Sequence, residues 1–142
     1  MPGRDPAEPR RSLRSQVERR AHGRCEYCHA PQSACGYRFH LDHITPPSAG
    51  GSDGLPNRAL ACAPCNLAKS DRVSGADPRT GAIVPLFHPR LHRWQEHFRW
   101  SADRQTLVGA TPTGRATVVV LDLNSALRRQ ARRLWFAMGW LP

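Results

Sequence analysis

Two C-x-x-C pairs constrain this chain more than any other feature. Cys25-Glu26-Tyr27-Cys28 and Cys62-Ala63-Pro64-Cys65 supply four soft thiolates, a ligand set that suits a tetrahedral structural zinc site. The stretch between Cys28 and Cys62 is longer than the gap of about 15–20 residues usual in a zinc ribbon. It has room for a hairpin with a function of its own. Other readings exist for such pairs: a redox dithiol, disulfides, or, because His29 follows Cys28, a C-x-x-C-H haem attachment. Two identical pairs argue against a lone redox motif, and nothing in the sequence points to an oxidising compartment. The second pair and the lack of an export signal argue against haem. Cys35 is left over and reads as a small buried hydrophobe.

Within the clamp lie His40-Leu41-Asp42-His43-Ile44, Asn57, Asn66 and Lys69. Asp42 and Asn66 offer hard oxygen atoms, which fit Mg²⁺ better than zinc. A histidine ordinarily titrates at about pH 6.5, so His43 is suited to accept a proton from water. A base beside a bound divalent cation is the minimum equipment for hydrolysing a phosphodiester. Lys69 follows Asn66 by one helical step and shares its face; it is also the only lysine in the chain. The plain alternative is a zinc ribbon carrying an incidental Asp-His pair and a solvated lysine.

The segment resembles the HNH endonuclease family in its four-cysteine form. The residues that carry the likeness are C-E-Y-C at 25–28, L-D-H-I-T-P at 41–46, G-G at 50–51, L-P-N at 55–57 and C-x-x-C-N-x-x-K-S at 62–70. The last of these is similar to the N-x-x-K-S-D ending of the HNH domain in CRISPR effector nucleases. The resemblance implies a ββα-metal fold, a two-stranded hairpin followed by a helix around one catalytic divalent ion. It implies that His43 is the general base, that Asp42 and Asn66 hold Mg²⁺ or Mn²⁺, and that Asn57 fixes the geometry of His43. Asn66 stands where the family often has histidine. The product chemistry implied is a 5′-phosphate and a 3′-hydroxyl.

Charge bears on the partner. The chain has 21 basic against 11 acidic residues, a net charge of +10, which favours a polyanion. Double-stranded DNA is the expected partner, although an arginine-rich genome would produce the same balance without any functional cause. Lys69, Arg72, Arg128, Arg129, Arg132 and Arg133 are the candidate phosphate contacts, and a solvated helix face is the bland reading of the arginines. No apolar run reaches the length of a membrane span, and the arginine-rich first twenty residues have no apolar signal core. A cytoplasmic protein is therefore expected.

The expected fold class is α+β: a ββα-metal core braced by the four-cysteine zinc site, with an N-terminal helix and a mixed C-terminal extension. Residues 1–11 read as a disordered lead-in, 12–76 as the nuclease core and 77–142 as an extension packing on it. Ser12 caps a helix running to about His22. Residues 37–44 form the first hairpin strand, which must end or bulge at Asp42-His43 for both to serve one site. Leu60 to Cys62 is the return strand, followed by a helix from near Asn66 to about Arg72, with Gly75 as its stop. A second helix starts at His88-Pro89, where a metal pair of His88 and His92 is outweighed by surface histidines on a packing helix. A hairpin turns at Ala102-Asp103. Thr111-Pro112 favours a helix over the strand propensity of Val118 to Val120. The last helix spans 125–138, with Leu127, Ala131, Leu134 and Met138 inward and the arginines outward. The expected activity is metal-dependent DNA cleavage; the alternative is a non-catalytic zinc-dependent DNA-binding module.

Overall fold

The computed structural model describes residues 11–141. Helix α1, Leu13–Arg20, begins where the Ser12 side chain accepts from the Ser15 amide at 3.1 Å. Its one fully buried residue is Val17, with Leu13 and Ala21 packed beside it. Two arginines of α1 turn toward neighbouring backbone. Arg14 donates to the Phe39 carbonyl at 2.8 Å and Arg20 to that of Leu55 at 3.0 Å, with a further short bond to Arg58 O. Both guanidinium groups are therefore tied to the fold.

A short helix α2, Gln32–Cys35, closes on Gly36 and leads to strand β1, His40–His43. β1 pairs antiparallel with β2, Arg58–Ala61, with Asp42 opposite Ala59 and His43 opposite Arg58. β1 is shorter than the expected 37–44 and stops at His43, because Ile44 donates to Asn57 O where the connecting loop folds back. That loop contains two 3-10 turns, Pro47–Ala49 and Leu55–Asn57. Helix α3, Ala63–Lys69, follows, capped at Cys62 with Pro64 in its first turn. It starts three residues before the expected point, which places Asn66 mid-helix. Hairpin plus α3 is a ββα unit.

Beyond it the chain makes a second hairpin, β3 Ser74–Ala76 with β4 Ile83–Pro85. Gly75 is thus a strand residue and not a helix stop. The helix expected at His88-Pro89 is absent. His88 Nδ1 accepts from the amides of Arg90 and Leu91 and so closes a turn, and only the four-residue α4, Trp94–His97, forms. The third hairpin is as expected, β5 Phe98–Trp100 with β6 Leu107–Gly109. Helix α5, Pro112–Val120, is capped by Thr111, whose hydroxyl accepts from Gly114 N at 3.0 Å. A Cβ on Gly114 would lie 2.0 Å from His97 O, so this close crossing needs glycine. Cap and packing override the β-propensity of the three valines.

Helix α6, Ala126–Ala137, is capped by Ser125 and departs in part from the expected facing: Arg129 and Arg133 are outward as expected and Ala131 is half-buried, but the leucines and two of the arginines are exchanged. Arg132 is its only buried residue, 2% exposed, while Leu127 is 79% exposed and Leu134 and Met138 also face out. Arg132 donates to Gln105 O at 2.9 Å and Asn124 Oδ1 at 3.1 Å, and makes a short bond to Leu123 O. Arg128 reaches Leu121 O at 2.9 Å. Where Arg128 and Arg132 enter, the surface beneath α6 offers carbonyl oxygens and sulfur, acceptors that a donor satisfies and a leucine would leave unpaired.

One buried cluster runs through the described residues, from Val17, Tyr27, Phe39 and Leu60 to Phe87, Phe98, Leu107, Leu121 and Leu123. Trp94 Nε1 donates to Tyr27 O at 3.0 Å, and Arg24 donates to Trp140 O at 2.7 Å. Residues 1–10 of the expected lead-in lie outside the described residues. No helix among the described residues is long and apolar enough to cross a membrane.

Candidate active site and metal centre

The four cysteines converge. Cys25, Cys28, Cys62 and Cys65 are all buried, and their sulfur atoms lie within 4.8 Å of one another. Cys28 and Cys62 Sγ are 3.6 Å apart; tetrahedral zinc with Zn–S of about 2.3 Å requires sulfur separations of about 3.8 Å. The set fits a structural zinc ion. Arg128 donates to Cys65 Sγ at 2.8 Å and lies 3.8 Å from Cys62 Sγ. Burial disfavours the Arg128 charge, but the thiolates of Cys65 and Cys28 outweigh it and raise its pKa. Cys35 is half-buried and free, outside the cluster.

Asp42 lies on the buried side of β1, nearly shielded from solvent. Tyr27 Oη donates to its Oδ2 at 2.7 Å. Lys69 Nζ stands 3.2 Å from Oδ2 and 3.5 Å from Oδ1, and donates to His43 O at 2.9 Å. Burial raises the Asp42 pKa, opposed by the Lys69 charge and by the Tyr27 hydrogen bond. Lys69 is only 2% exposed. Its ammonium is the counter-ion of Asp42 and is not placed to reach a DNA phosphate. That expectation for Lys69 is corrected, because a buried carboxylate needs a charged partner more than the surface needs a cation.

His43, the next residue, is half-buried. Its Nε2 lies 2.8 Å from Oδ1 of Asp53, an 84%-exposed carboxylate on the β1–β2 loop. Arg58 holds that residue through Nε to Asp53 O at 3.0 Å. No described residue hydrogen-bonds His43 Nδ1. Asn57 does not touch the His43 ring. Its Oδ1 accepts from Thr45 N at 2.9 Å, and its Nδ2 donates to Thr45 O at 2.8 Å and Ser52 O at 2.7 Å. It therefore pins the chain two residues past His43 to the loop carrying Asp53. Gly51 lets that loop close, since a Cβ there would meet Thr45 O at 1.8 Å.

Asp42, His43 and Asn66 wall one open cavity of about 500 Å³, with Pro46, Ser70 and Asp71 around it. The Asn66 side chain has no hydrogen-bond partner among the described residues. An unpartnered amide oxygen and an acidic oxygen with one distant contact, Asp42 Oδ1, are a hard-ligand pair that fits a divalent cation such as Mg²⁺.

Residues 25–72 match the HNH endonuclease family model. The match runs from the first of the four cysteines to just past α3, a third of the chain, and it suggests a nuclease or DNA-binding function. Among curated proteins and among solved structures, nothing matches the chain.

Of the expected phosphate contacts, Arg72, Arg129 and Arg133 are exposed. Arg128 and Arg132 are not so placed: they serve the cysteine cluster and buried carbonyls. Sequence reasoning missed Tyr27 and Asp53 as partners of Asp42 and His43. Tyr27 was visible as part of a knuckle, but no local pattern announces a partner fifteen positions away.

Proposed function

We propose that this chain is a metal-dependent HNH endonuclease that hydrolyses phosphodiester bonds in double-stranded DNA. The observation that carries this reading is the single cavity walled by His43, Asp42 and Asn66 on a ββα unit. A DNA-binding module has no need of that combination. We read residues 12–76 as the nuclease core and 77–142 as an extension packed on it, in keeping with the bonds from Trp94 to Tyr27 and from Arg128 to Cys65.

In this reading Asp42 and Asn66 hold Mg²⁺ or Mn²⁺, which when bound stabilises charge developing on the phosphate and the leaving oxygen. His43 accepts the proton of the attacking water. In the tautomer that donates Nε2–H to Asp53, the free lone pair is on Nδ1. The water oxygen bonds to phosphorus as the P–O3′ bond breaks, giving the 5′-phosphate and the 3′-hydroxyl. Asn57 keeps Thr45, and with it the end of β1, in place. Arg72, Arg129 and Arg133 contact backbone phosphates. The four cysteines hold a structural Zn²⁺.

The test is plasmid cleavage by purified protein with Mg²⁺, with and without EDTA. The expected result is nicked or linear product that EDTA abolishes. Binding without cleavage under every divalent cation tried would leave the non-catalytic module as the function.

A further inference from the structure

We propose that Tyr27 is a positioning residue for the catalytic cation site: its hydroxyl locks the Asp42 carboxylate so that Oδ1 is the oxygen offered to a divalent ion. The proposal rests on the reading of Asp42 as a cation ligand.

Two observations lead to it. The two oxygens of Asp42 are treated unequally. Oδ2 takes the Tyr27 hydroxyl at 2.7 Å and Lys69 at 3.2 Å, whereas Oδ1 has only Lys69 at 3.5 Å. A charge-assisted O–H···O⁻ bond of that length fixes the rotation of the carboxylate. Second, Tyr27 has little freedom of its own. It sits between Cys25 and Cys28, its carbonyl accepts Trp94 Nε1 at 3.0 Å, and its ring meets Phe87 edge-on at 6.5 Å between centroids. The preceding residue, Glu26, donates its amide to Leu60 O at 2.8 Å, so the knuckle is tied to the strand paired with β1. The cysteine knuckle thereby reaches into the cation site: the loop that supplies two thiolates also supplies the hydroxyl that aims Asp42.

A purely structural tyrosine would affect stability alone, so the test reads cation binding directly. Mn²⁺ is titrated into the zinc-loaded full chain and free Mn²⁺ is followed by electron paramagnetic resonance, for the parent, Tyr27→Phe and Asp42→Asn. Partners that orient a metal ligand commonly contribute about 10–100-fold in affinity. Tyr27→Phe is expected to weaken Mn²⁺ binding about tenfold, while zinc content is unchanged. Parent affinity in Tyr27→Phe, alongside clear loss in Asp42→Asn, overturns the proposal alone. Parent affinity in Asp42→Asn overturns the assignment of Asp42 as a ligand, and this proposal with it.

A second measurement does not depend on the phenylalanine variant folding. With 3-fluorotyrosine placed at position 27, one equivalent of Mn²⁺ should broaden its ¹⁹F resonance, and Asp42→Asn should prevent the broadening. A sharp resonance at saturating Mn²⁺ overturns the proposal.

Discussion

His43 and Lys69 show how neighbouring side chains divide the work at this site. His43 sits at the wall of an open cavity, so its removal should cost chemistry and little packing. His43→Ala is expected to slow DNA cleavage about 10²–10⁴-fold, the usual contribution of a general base, with zinc content and melting temperature near those of the parent. Asp42→Ala and Asn66→Ala should lose rate too, but partly recover as Mg²⁺ is raised, since they remove cation ligands; His43→Ala should not. A rate-against-Mg²⁺ series on the three variants separates the roles. Lys69 behaves differently because its ammonium is buried against Asp42 and His43 O. Lys69→Met leaves a buried carboxylate without its counter-charge, for which about 3–5 kcal/mol of destabilisation is expected. Urea denaturation checks this. A variant that kept parent stability and lost only DNA affinity would return Lys69 to the role of a phosphate contact.

At the scale of elements, α6 carries two kinds of arginine. Arg129→Ala with Arg133→Ala should leave stability within about 0.5 kcal/mol of the parent, as for most surface changes. That pair should also flatten the salt dependence of DNA binding, since the slope falls by roughly one for each phosphate no longer neutralised. Arg132→Ala should instead destabilise the fold by roughly 1–3 kcal/mol, because buried carbonyls lose their donor. Its salt slope should match the parent's.

The β3–β4 turn is joined to α5 by another ion pair. Arg115 Nε and Nη2 each lie 2.9 Å from an oxygen of Asp77. The Arg115 hydrogen bonds hold the Asp77 carboxyl below the usual carboxylate range. A depressed folded pKa means that the unfolded state takes up protons first as pH falls. The contribution of this pair is thus full above about pH 4, near the unfolded value, and is lost below it toward the folded value. Asp77→Asn should therefore lower the melting temperature at neutral pH and have a shrinking effect in acid. An equal effect at all pH values would assign Asp77 an uncharged role, as acceptor for Thr80 and the Arg79 amide.

For the whole molecule, the cysteine cluster joins segments far apart in sequence, with α6 set against it through Arg128. About one zinc per chain is expected by elemental analysis. Replacing any one of Cys25, Cys28, Cys62 or Cys65 by serine should collapse the melting transition, because zinc binding at such a site is folding free energy. Cys35→Ser should be tolerated. Protein purified without chelators and found free of zinc would sink the assignment.

Much of this was legible in the chain itself, and the reason is locality. Two C-x-x-C pairs dictate a four-thiolate cluster because each pair is a self-contained turn. Ser12 and Thr111 announce helix starts because a cap acts within three residues. Asp42 and His43 are adjacent at a strand end, so their placement near one cavity follows from the hairpin. What tertiary structure alone decided depends on atoms brought from elsewhere in the chain. The inward turn of Arg128 and Arg132 is set by thiolates and carbonyls beneath α6, and a periodicity count that places leucine inside cannot register that those acceptors need donors. Lys69 faces in and not out because a buried carboxylate waits on β1. Tyr27 and Asp53 acquired roles only when the fold carried them to Asp42 and His43, since a hydrogen-bond partner is fixed by distance in space.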